Sequence, residues 1–81
     1  MSTVTVQLFA SYAESFGGST LEIPLAPHST VGDVVESIRA LPAAFFLPKS
    51  VRVAVNRKFA SADQLVDPTD ELALIPPVAG G

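Results

Sequence analysis

The group in this sequence that is best suited to take part in a reaction is the terminal carboxylate of the last residue, Gly81, in the segment "IPPVAGG". Gly80 and Gly81 carry no side chain, so they could pass through a channel too narrow for a Cβ atom and lie close to a second protein. A carboxylate is a poor electrophile, but an activated one, for example an adenylate, can accept sulfur or an amine. The sequence shows no activating machinery, so we expect a separate nucleotide-using enzyme.

The residues before the two glycines would deliver this carboxylate to a partner. Pro76 and Pro77 restrict φ and favour an extended polyproline conformation, so the tail should leave the domain in a defined direction. Residues 76–81 could reach on the order of 20 Å at about 3.3 Å per residue. The predicted arm for insertion into a partner consists of Pro76, Pro77, Val78, Ala79 and Gly80. The plain alternative is a frayed, idle terminus.

The side chains offer no comparable chemistry. His28, the only histidine, lies in "APHST", where we expect an ordinary solvated turn residue, since a catalytic base must also be oriented by another group. A group of acidic residues lacks the ligand spacing and the bidentate closing Glu of a calcium loop; its members are Asp63, Asp67, Asp70 and Glu71. The absence of cysteine excludes disulfides and thiolate metal sites. We therefore expect no metal and no bound cofactor.

Composition indicates one packed domain with a contact surface. The 81 residues allow a single core, and a hydrophobic content of 48% with a mean hydropathy of +0.42 exceeds what that core needs. The excess predicts an exposed apolar patch for a protein partner. A net charge of -3 without a basic cluster disfavours nucleic acid binding. No apolar run approaches the roughly 20 residues of a membrane span, and no signal peptide is evident, so the predicted location is the cytoplasm.

Alternation of apolar and polar residues predicts a mainly β structure with one principal helix. Strands are expected at residues 4–10, 20–25, 51–55 and 71–75, with a brief return strand at 59–60. Thr30 should cap the helix with Asp33 in a capping box, and Pro42 should end it at or before Leu41. "YAESF" is expected to form a short helical turn at most, "SADQL" a helical turn and "DPTD" a β-turn. The apolar helix face would be Val31, Val34, Val35, Ile38 and Leu41.

This order predicts an α+β fold in which the helix covers one face of a sheet of about five strands. The residues expected beneath the helix are Val4, Val6, Leu8, Val53, Val55, Leu72 and Leu74. Phe9, Phe59 and Ile75 should project from the uncovered face, where polar residues are the norm. We predict that these three residues form the partner interface. The folded domain would be residues 1–75, and the extended arm residues 76–81.

Four features span nearly the whole chain: "VQLFASYAE" near the start, "AVN" at residues 54–56, the single main helix between them, and the end "DELALIPPVAGG". Together they resemble the small subunit of molybdopterin synthase, a ubiquitin-like β-grasp sulfur carrier. The diglycine alone would be weak, because ubiquitin relatives and the thiamine sulfur carrier share it. The acidic turn, the apolar strand and "PPVAGG" in combination are specific.

The resemblance implies a role for each part of the chain. Gly81 would be adenylated by an E1-like adenylyltransferase that uses ATP, and then converted to a thiocarboxylate with sulfur from a sulfur-donating enzyme. The thiocarboxylate would donate sulfur to a cyclic pyranopterin in the catalytic pocket of the large subunit, forming the molybdopterin dithiolene. Phe9, Phe59 and Ile75 would contact partners while Gly80 threads with Gly81. Two small subunits would flank a large-subunit dimer in a heterotetramer.

Two positions depart from the family pattern. Ala13 stands where members commonly have Arg before the residue equivalent to Glu14, and Ile75 replaces an aromatic residue before "PPV". Three alternatives remain open. The chain could be a sulfur carrier for thiamine or amino-acid biosynthesis, a ubiquitin-like modifier attached through Gly81 to lysines, or a β-grasp binding module with an idle tail.

Overall fold

The structure, a computed structural model, describes residues 2–76, and within them five strands form one mixed sheet. The strands are β1 (Ser2–Leu8), β2 (Thr20–Leu25), β3 (Arg52–Val55), β4 (Lys58–Phe59) and β5 (Glu71–Ile75). Their order across the sheet is β2-β1-β5-β3-β4. β1 and β5 are parallel, and the other neighbouring pairs are antiparallel. The predicted α+β class and mixed sheet are confirmed.

Two α-helices and a 3₁₀ helix connect the strands. They are α1 (Ala10–Phe16), α2 (Val31–Arg39) and the 3₁₀ helix Pro42–Phe46. The capping box of α2 is present: the Asp33 N–H donates to Thr30 Oγ1 at 3.2 Å, and the Thr30 N–H donates to Asp33 Oδ2 at 2.9 Å. These bonds satisfy backbone donors that the first helical turn leaves without partners. Helix α2 therefore begins where the sequence predicts.

One residue of the predicted helix face is misplaced. Val31, Val34 and Ile38 are buried, but Leu41 is exposed and lies beyond the end of α2. Pro42 disfavours the helical region for the preceding residue, and Leu41 accordingly has extended angles of φ −76° and ψ 141°. Once the chain leaves the helix, the 3.6-residue period no longer places residue 41 on the core side.

Helix α1 is longer than the short turn expected for "YAESF". It spans seven residues and buries Tyr12 against the core. Gly17 ends it in the left-handed region at φ 77°, and the Gly17 and Gly18 N–H groups both donate to the Ala13 carbonyl at 3.0 Å. A glycine adopts this conformation without the penalty that a Cβ imposes. Burial of Tyr12 thus extends a segment whose own sequence is only weakly helical.

The expected helical turn in "SADQL" is wrong. Residues 62–63 form a turn, and Leu65 makes an isolated antiparallel bridge with Thr30. The carbonyls of Ala62 and Gln64 accept bonds from the N–H groups of Gly32 and Val31, at 2.8 and 2.9 Å. These two carbonyls thus accept hydrogen bonds from the first residues of α2 and do not take part in a helical turn of residues 61–65.

The core lies between α2 and one face of the sheet, as predicted. All seven sheet residues expected beneath the helix are buried: Val4, Val6, Leu8, Val53, Val55, Leu72 and Leu74. Alternate residues of β5 point to opposite faces, so Leu72 and Leu74 are buried while Glu71 is exposed. None of the helices in residues 2–76 is long and apolar enough to span a membrane.

The turn before β5 is held by carboxylate hydrogen bonds. The Asp70 N–H donates to the Asp67 carbonyl at 2.9 Å, and the Asp67 N–H donates to Asp70 Oδ2 at 2.8 Å. Asp67 Oδ1 accepts from the Thr69 N–H at 3.0 Å and from Thr69 Oγ1 at 2.7 Å. These bonds from Thr69 lower the pKa of Asp67 from its ordinary value of 3.8. The predicted "DPTD" turn is present.

Val6→Ser should destabilise the domain by about 3 kcal/mol, because it leaves a cavity and buries a hydroxyl without a partner. Val6 is fully buried in the central strand β1. Urea unfolding followed by circular dichroism measures the change. The control is Thr5→Ser, whose hydroxyl can still donate to Glu22 Oε2 as Thr5 does, and which should unfold near the wild-type midpoint. Equal midpoints for Val6→Ser and the wild type would contradict the core assignment.

The lowered pKa of Asp67 predicts a loss of stability on the acid side. Its carboxylate is favoured in the folded state, so its contribution is present above the unfolded pKa and disappears as pH falls through the lowered folded pKa. The urea midpoint, measured between about pH 5 and about pH 2.5, should fall less steeply for Asp67→Asn than for the wild type. Thr69→Ala, which keeps the backbone donor, should be intermediate. Parallel curves for all three proteins would rule out this source of acid sensitivity.

Candidate functional site

The candidate site lies on the sheet face that α2 does not cover. A cross-strand row runs through Gln7 of β1, Ala73 of β5, Ala54 of β3 and Phe59 of β4, as the strand register shows. The two alanines are the shortest side chains of this row, and larger side chains surround them. The row therefore forms the floor of a shallow concavity.

Phe9, Phe59 and Ile75, with the alanines between them, are called the open-face surface from here on. All three large residues line the same concavity, as the sequence predicts for their positions. Phe9 is 45% exposed and Phe59 65% exposed, whereas Ile75 is half-buried between its neighbours. Phe9 follows β1 directly and is the N-cap of α1, so the start of the helix holds its backbone in position.

A second concavity adjoins the first at Phe59 and Ile75. It is lined by Tyr12, Pro48, Ser50, Arg52 and Pro76 together with these two residues. The Arg52 Cζ atom lies 5.0 Å from the centroid of the Phe59 ring, within the range of a cation–π contact. Burial raises the pKa of Tyr12, and the positive charge of Arg39 partly offsets this effect. Because Phe59 and Ile75 line both concavities, the apolar area continues from the open-face surface to Pro76.

The β3–β4 turn borders the open-face surface on its other side. Asn56 and Arg57 have φ values of 51° and 71°, which identifies a two-residue turn with two left-handed positions. The Asn56 N–H donates to the Glu71 carbonyl at 2.8 Å, and Asn56 Oδ1 accepts from the Glu71 N–H at 2.9 Å. Asn56 Nδ2 also donates to Asp70 Oδ1 at 2.9 Å. This side chain ties the turn to the start of β5.

The residues predicted to carry the terminal chemistry lie outside the described part of the chain. They are Pro77, Val78, Ala79, Gly80 and Gly81, so their roles stay predictions, as does the division into a domain of residues 1–75 and an arm of residues 76–81. Pro76 directly follows β5 and lines the second concavity. The described part of the site is thus the surface around Pro76, where the predicted arm would begin.

Other candidate groups are dispersed. His28 lies exposed in a turn with φ 63°, on the helix side of the molecule near Pro27 and Asp33. Residues 2–76 contain no group of three or more His, Cys, Asp or Glu residues that could hold a metal ion. The carboxylates of Asp67 and Asp70 accept backbone hydrogen bonds within the turn before β5.

Comparison with known proteins shows the family to which this chain belongs. The sequence model of the ThiS family matches residues 6–81, which is nearly the whole chain. The chain belongs to the ThiS family. It is therefore a ubiquitin-like protein of the sulfur-carrier and modifier type, with a β-grasp fold. The resemblance noted in the sequence is confirmed for the family and for its fold.

Some relatives of this ThiS-family chain are named as protein modifiers and others as subunits of molybdopterin converting factor. It is 33% identical over 84 residues to small archaeal modifier protein 1 of Haloferax volcanii, covering 93% of this chain and 97% of that protein. The crystal structure of that protein superposes with a TM-score of 0.83, covering 98% and 99% of the two chains at 32% identity. A Pyrococcus furiosus protein described as molybdopterin converting factor, subunit 1, has a TM-score of 0.82 at 26% identity, covering 96% and 100%.

A more distant likeness concerns the fold alone. The complex of subunits 1 and 2 of molybdopterin-converting factor from Helicobacter pylori contains a chain with a TM-score of 0.71 at 16% identity, covering 98% of this chain and 99% of that one. The same fold thus occurs in a protein that forms a complex with a partner subunit.

Sequence reasoning identified the three large apolar residues that line the open-face concavity but missed its floor and its rim. Ala54 and Ala73 form the floor only because β3 and β5 pair in a register that sets them opposite each other. Arg57 lines the rim because Asn56 turns the chain back toward β3. A polar turn after β3 is expected from the sequence, and Asn56 as the first residue of the two-residue connection is the signal that could have indicated its tight geometry and the place of Arg57.

Proposed function

We propose that this protein is the sulfur carrier subunit of molybdopterin synthase. The observation that carries the proposal is the continuity of one apolar surface, Phe9, Phe59 and Ile75, with the residue from which the terminal arm begins, Pro76. A partner that binds this surface is within reach of a carboxylate carried on residues 77–81. The likeness to the molybdopterin converting factor protein of P. furiosus over almost the full chain supports the choice of pathway.

In the proposed reaction, the Gly81 carboxylate oxygen attacks the α-phosphorus of ATP on an E1-like adenylyltransferase, and pyrophosphate leaves. Sulfide-level sulfur from a sulfur-donating enzyme then attacks the carbonyl carbon of the Gly81 adenylate, the bond to AMP breaks, and the products are AMP and a thiocarboxylate. Gly80, Ala79, Val78 and Pro77 extend through the partner so that the thiocarboxylate reaches the pterin precursor in the large subunit. The carrier itself contributes delivery and no side-chain catalyst.

The assembly that we propose is a heterotetramer of two small and two large subunits. The open-face surface supports binding of a large subunit because its centre is apolar and its edge is polar, as is usual in protein interfaces. Ile75 lines both this surface and the adjoining concavity, and Pro76 follows it directly. Docking and insertion of the arm would thus be parts of one event.

A second candidate function is protein modification, in which an activated Gly81 reacts with a lysine amine of a target protein. It is favoured by the likeness to small archaeal modifier protein 1, at 33% identity over 93% of the chain. The two functions share the activation step and differ in the nucleophile that follows. A branched peptide on target lysines after proteolysis would identify the modifier, whereas the carrier function does not require one.

Incubation with the activating enzyme, ATP and a sulfur donor should raise the intact mass by the difference between one sulfur and one oxygen atom. The thiocarboxylated protein should then convert the pterin precursor when the large subunit is added. A variant that ends at Ala79 is the matched control and should keep its mass. An unchanged mass for the full chain, under conditions in which an established carrier reacts, would refute the proposed function.

Phe9→Ser should weaken binding to the large subunit by about 30-fold or more, since truncating a central interface residue costs about 2 kcal/mol or more. Its urea midpoint should stay near that of the wild type, because Phe9 is 45% exposed. The same substitution at Phe45, which is 91% exposed in the 3₁₀ helix and outside the open-face surface, is the control and should leave binding unchanged. If Phe9→Ser unfolds the protein, the residue belongs to the core instead.

A further inference from the structure

The charges around the open-face surface are unevenly placed. The sequence has five basic residues and a net charge of -3, yet two of the five, Arg52 and Arg57, border the open-face surface from the β3–β4 side. On the β2 side of the same face, the hydroxyl of Thr5 donates to a carboxylate oxygen of Glu22 at 2.6 Å. On the β2 side, Thr5 and Glu22 are thus hydrogen-bonded to each other, whereas the β3–β4 side carries the positive charges of Arg52 and Arg57.

Arg57 is the less constrained of these two cations. The Arg52 guanidinium lies against the Phe59 ring. Among the described residues, the Arg57 guanidinium has no hydrogen bond or ion pair, although Glu71 lines the same concavity. The Asp70 carboxylate is engaged by Asn56 Nδ2 and by the Asp67 N–H. An exposed guanidinium at the edge of an apolar concavity retains its donors for an outside acceptor.

The backbone at Arg57 is unfavourable for its residue type. Its φ of 71° lies in the left-handed region, where glycine is the preferred second residue of such a turn. A side chain that adds strain at this position, and that lies at the rim of a binding surface, is a candidate for function. Lys58, the next residue, pairs with buried Val55 in the register and so lies on the other face of the sheet.

We propose that Arg57 is a specificity-determining contact for a carboxylate on the docking surface of the large subunit, beside the apolar group that enters the open-face concavity. This inference rests on the proposed function. The partner chemistry follows from charge complementarity: an apolar side chain to cover Ala54 and Ala73, and an acidic side chain to meet Arg57. Glu71 lines the same concavity without an ion pair to Arg57, so its negative charge lies near the rim and repels an incoming acid.

The test measures binding of full-length variants to the purified large subunit of the same organism by calorimetry. Arg57→Gln should weaken binding about fivefold at low ionic strength, the upper range for an exposed ion pair. Lys58→Gln, which removes the same charge on the other face, should change it less than about twofold, and Glu71→Gln should tighten it about twofold. At about 1 M salt, where the Debye length is about 3 Å, the Arg57→Gln effect should largely vanish.

The variant Arg57→Gly distinguishes the effect of the Arg57 side chain on binding from the effect of the turn conformation on stability. It should unfold at a higher urea concentration than the wild type, because glycine relieves the left-handed strain, and it should bind as weakly as Arg57→Gln. A residue with only a structural role would not combine greater stability with weaker binding.

Several outcomes would overturn the inference. One is Arg57→Gln binding within twofold of the wild type, and another is an equal loss for Lys58→Gln. A third is self-association of the free protein through this face, detected by sedimentation and abolished by Arg57→Gln. If the wild-type protein does not bind the large subunit at all, the proposed function fails, and the inference falls with it. Normal wild-type binding that is insensitive to Arg57 rejects the inference alone.

Discussion

The pairing of β5 between β1 and β3 is the interaction on which the rest of the structure depends. β5 comes last in sequence, yet it hydrogen-bonds in parallel to β1 and antiparallel to β3. Both of its edges are therefore used, and its core side chains Leu72 and Leu74 are buried almost completely. Because the sheet is completed around this strand, its last residue, Ile75, lies among Phe9, Arg52 and Phe59. Pro76, the next residue, therefore lies beside the open-face surface, in the concavity that adjoins it.

Coverage of one sheet face only is the second constraint. Helix α2 buries the side chains beneath it, while residues 2–76 contain no element that covers the opposite face. Apolar groups on that face remain in contact with water until another protein binds, and this unsatisfied area is the thermodynamic basis for docking. The alanines at its centre make the surface concave, so a protruding partner group fits better than a flat one. The fold thus provides a shaped recognition surface next to an arm that carries the proposed chemistry.

The network around Asn56 connects the stability of the fold to the shape of this surface. Asn56 bonds to the backbone of Glu71 and to the side chain of Asp70, so hydrogen bonds connect the β3–β4 turn to residues 67–70 and to the start of β5. The same network holds Arg57 in a conformation that a bulky residue adopts only at a cost. These bonds position the backbone that carries Arg57 before a partner arrives, which reduces the ordering cost of association.

The sequence by itself determined the presence of the five strands, the capped helix α2, the buried alternation of β1, β3 and β5, and the placement of Phe9, Phe59 and Ile75 away from the core. These follow from local periodicity, capping chemistry and proline stereochemistry, which act over a few residues. The predicted end of β1 is wrong: the alternation predicts residues 4–10, but the strand stops at Leu8 because α1 begins at Ala10. Only the tertiary structure decided that Ala54 and Ala73 lie side by side, that Ala62 and Gln64 cap α2, and that burial of Tyr12 extends α1. The physical reason is that strand register and cross-chain hydrogen bonds depend on residues tens of positions apart, whose pairing no local pattern records.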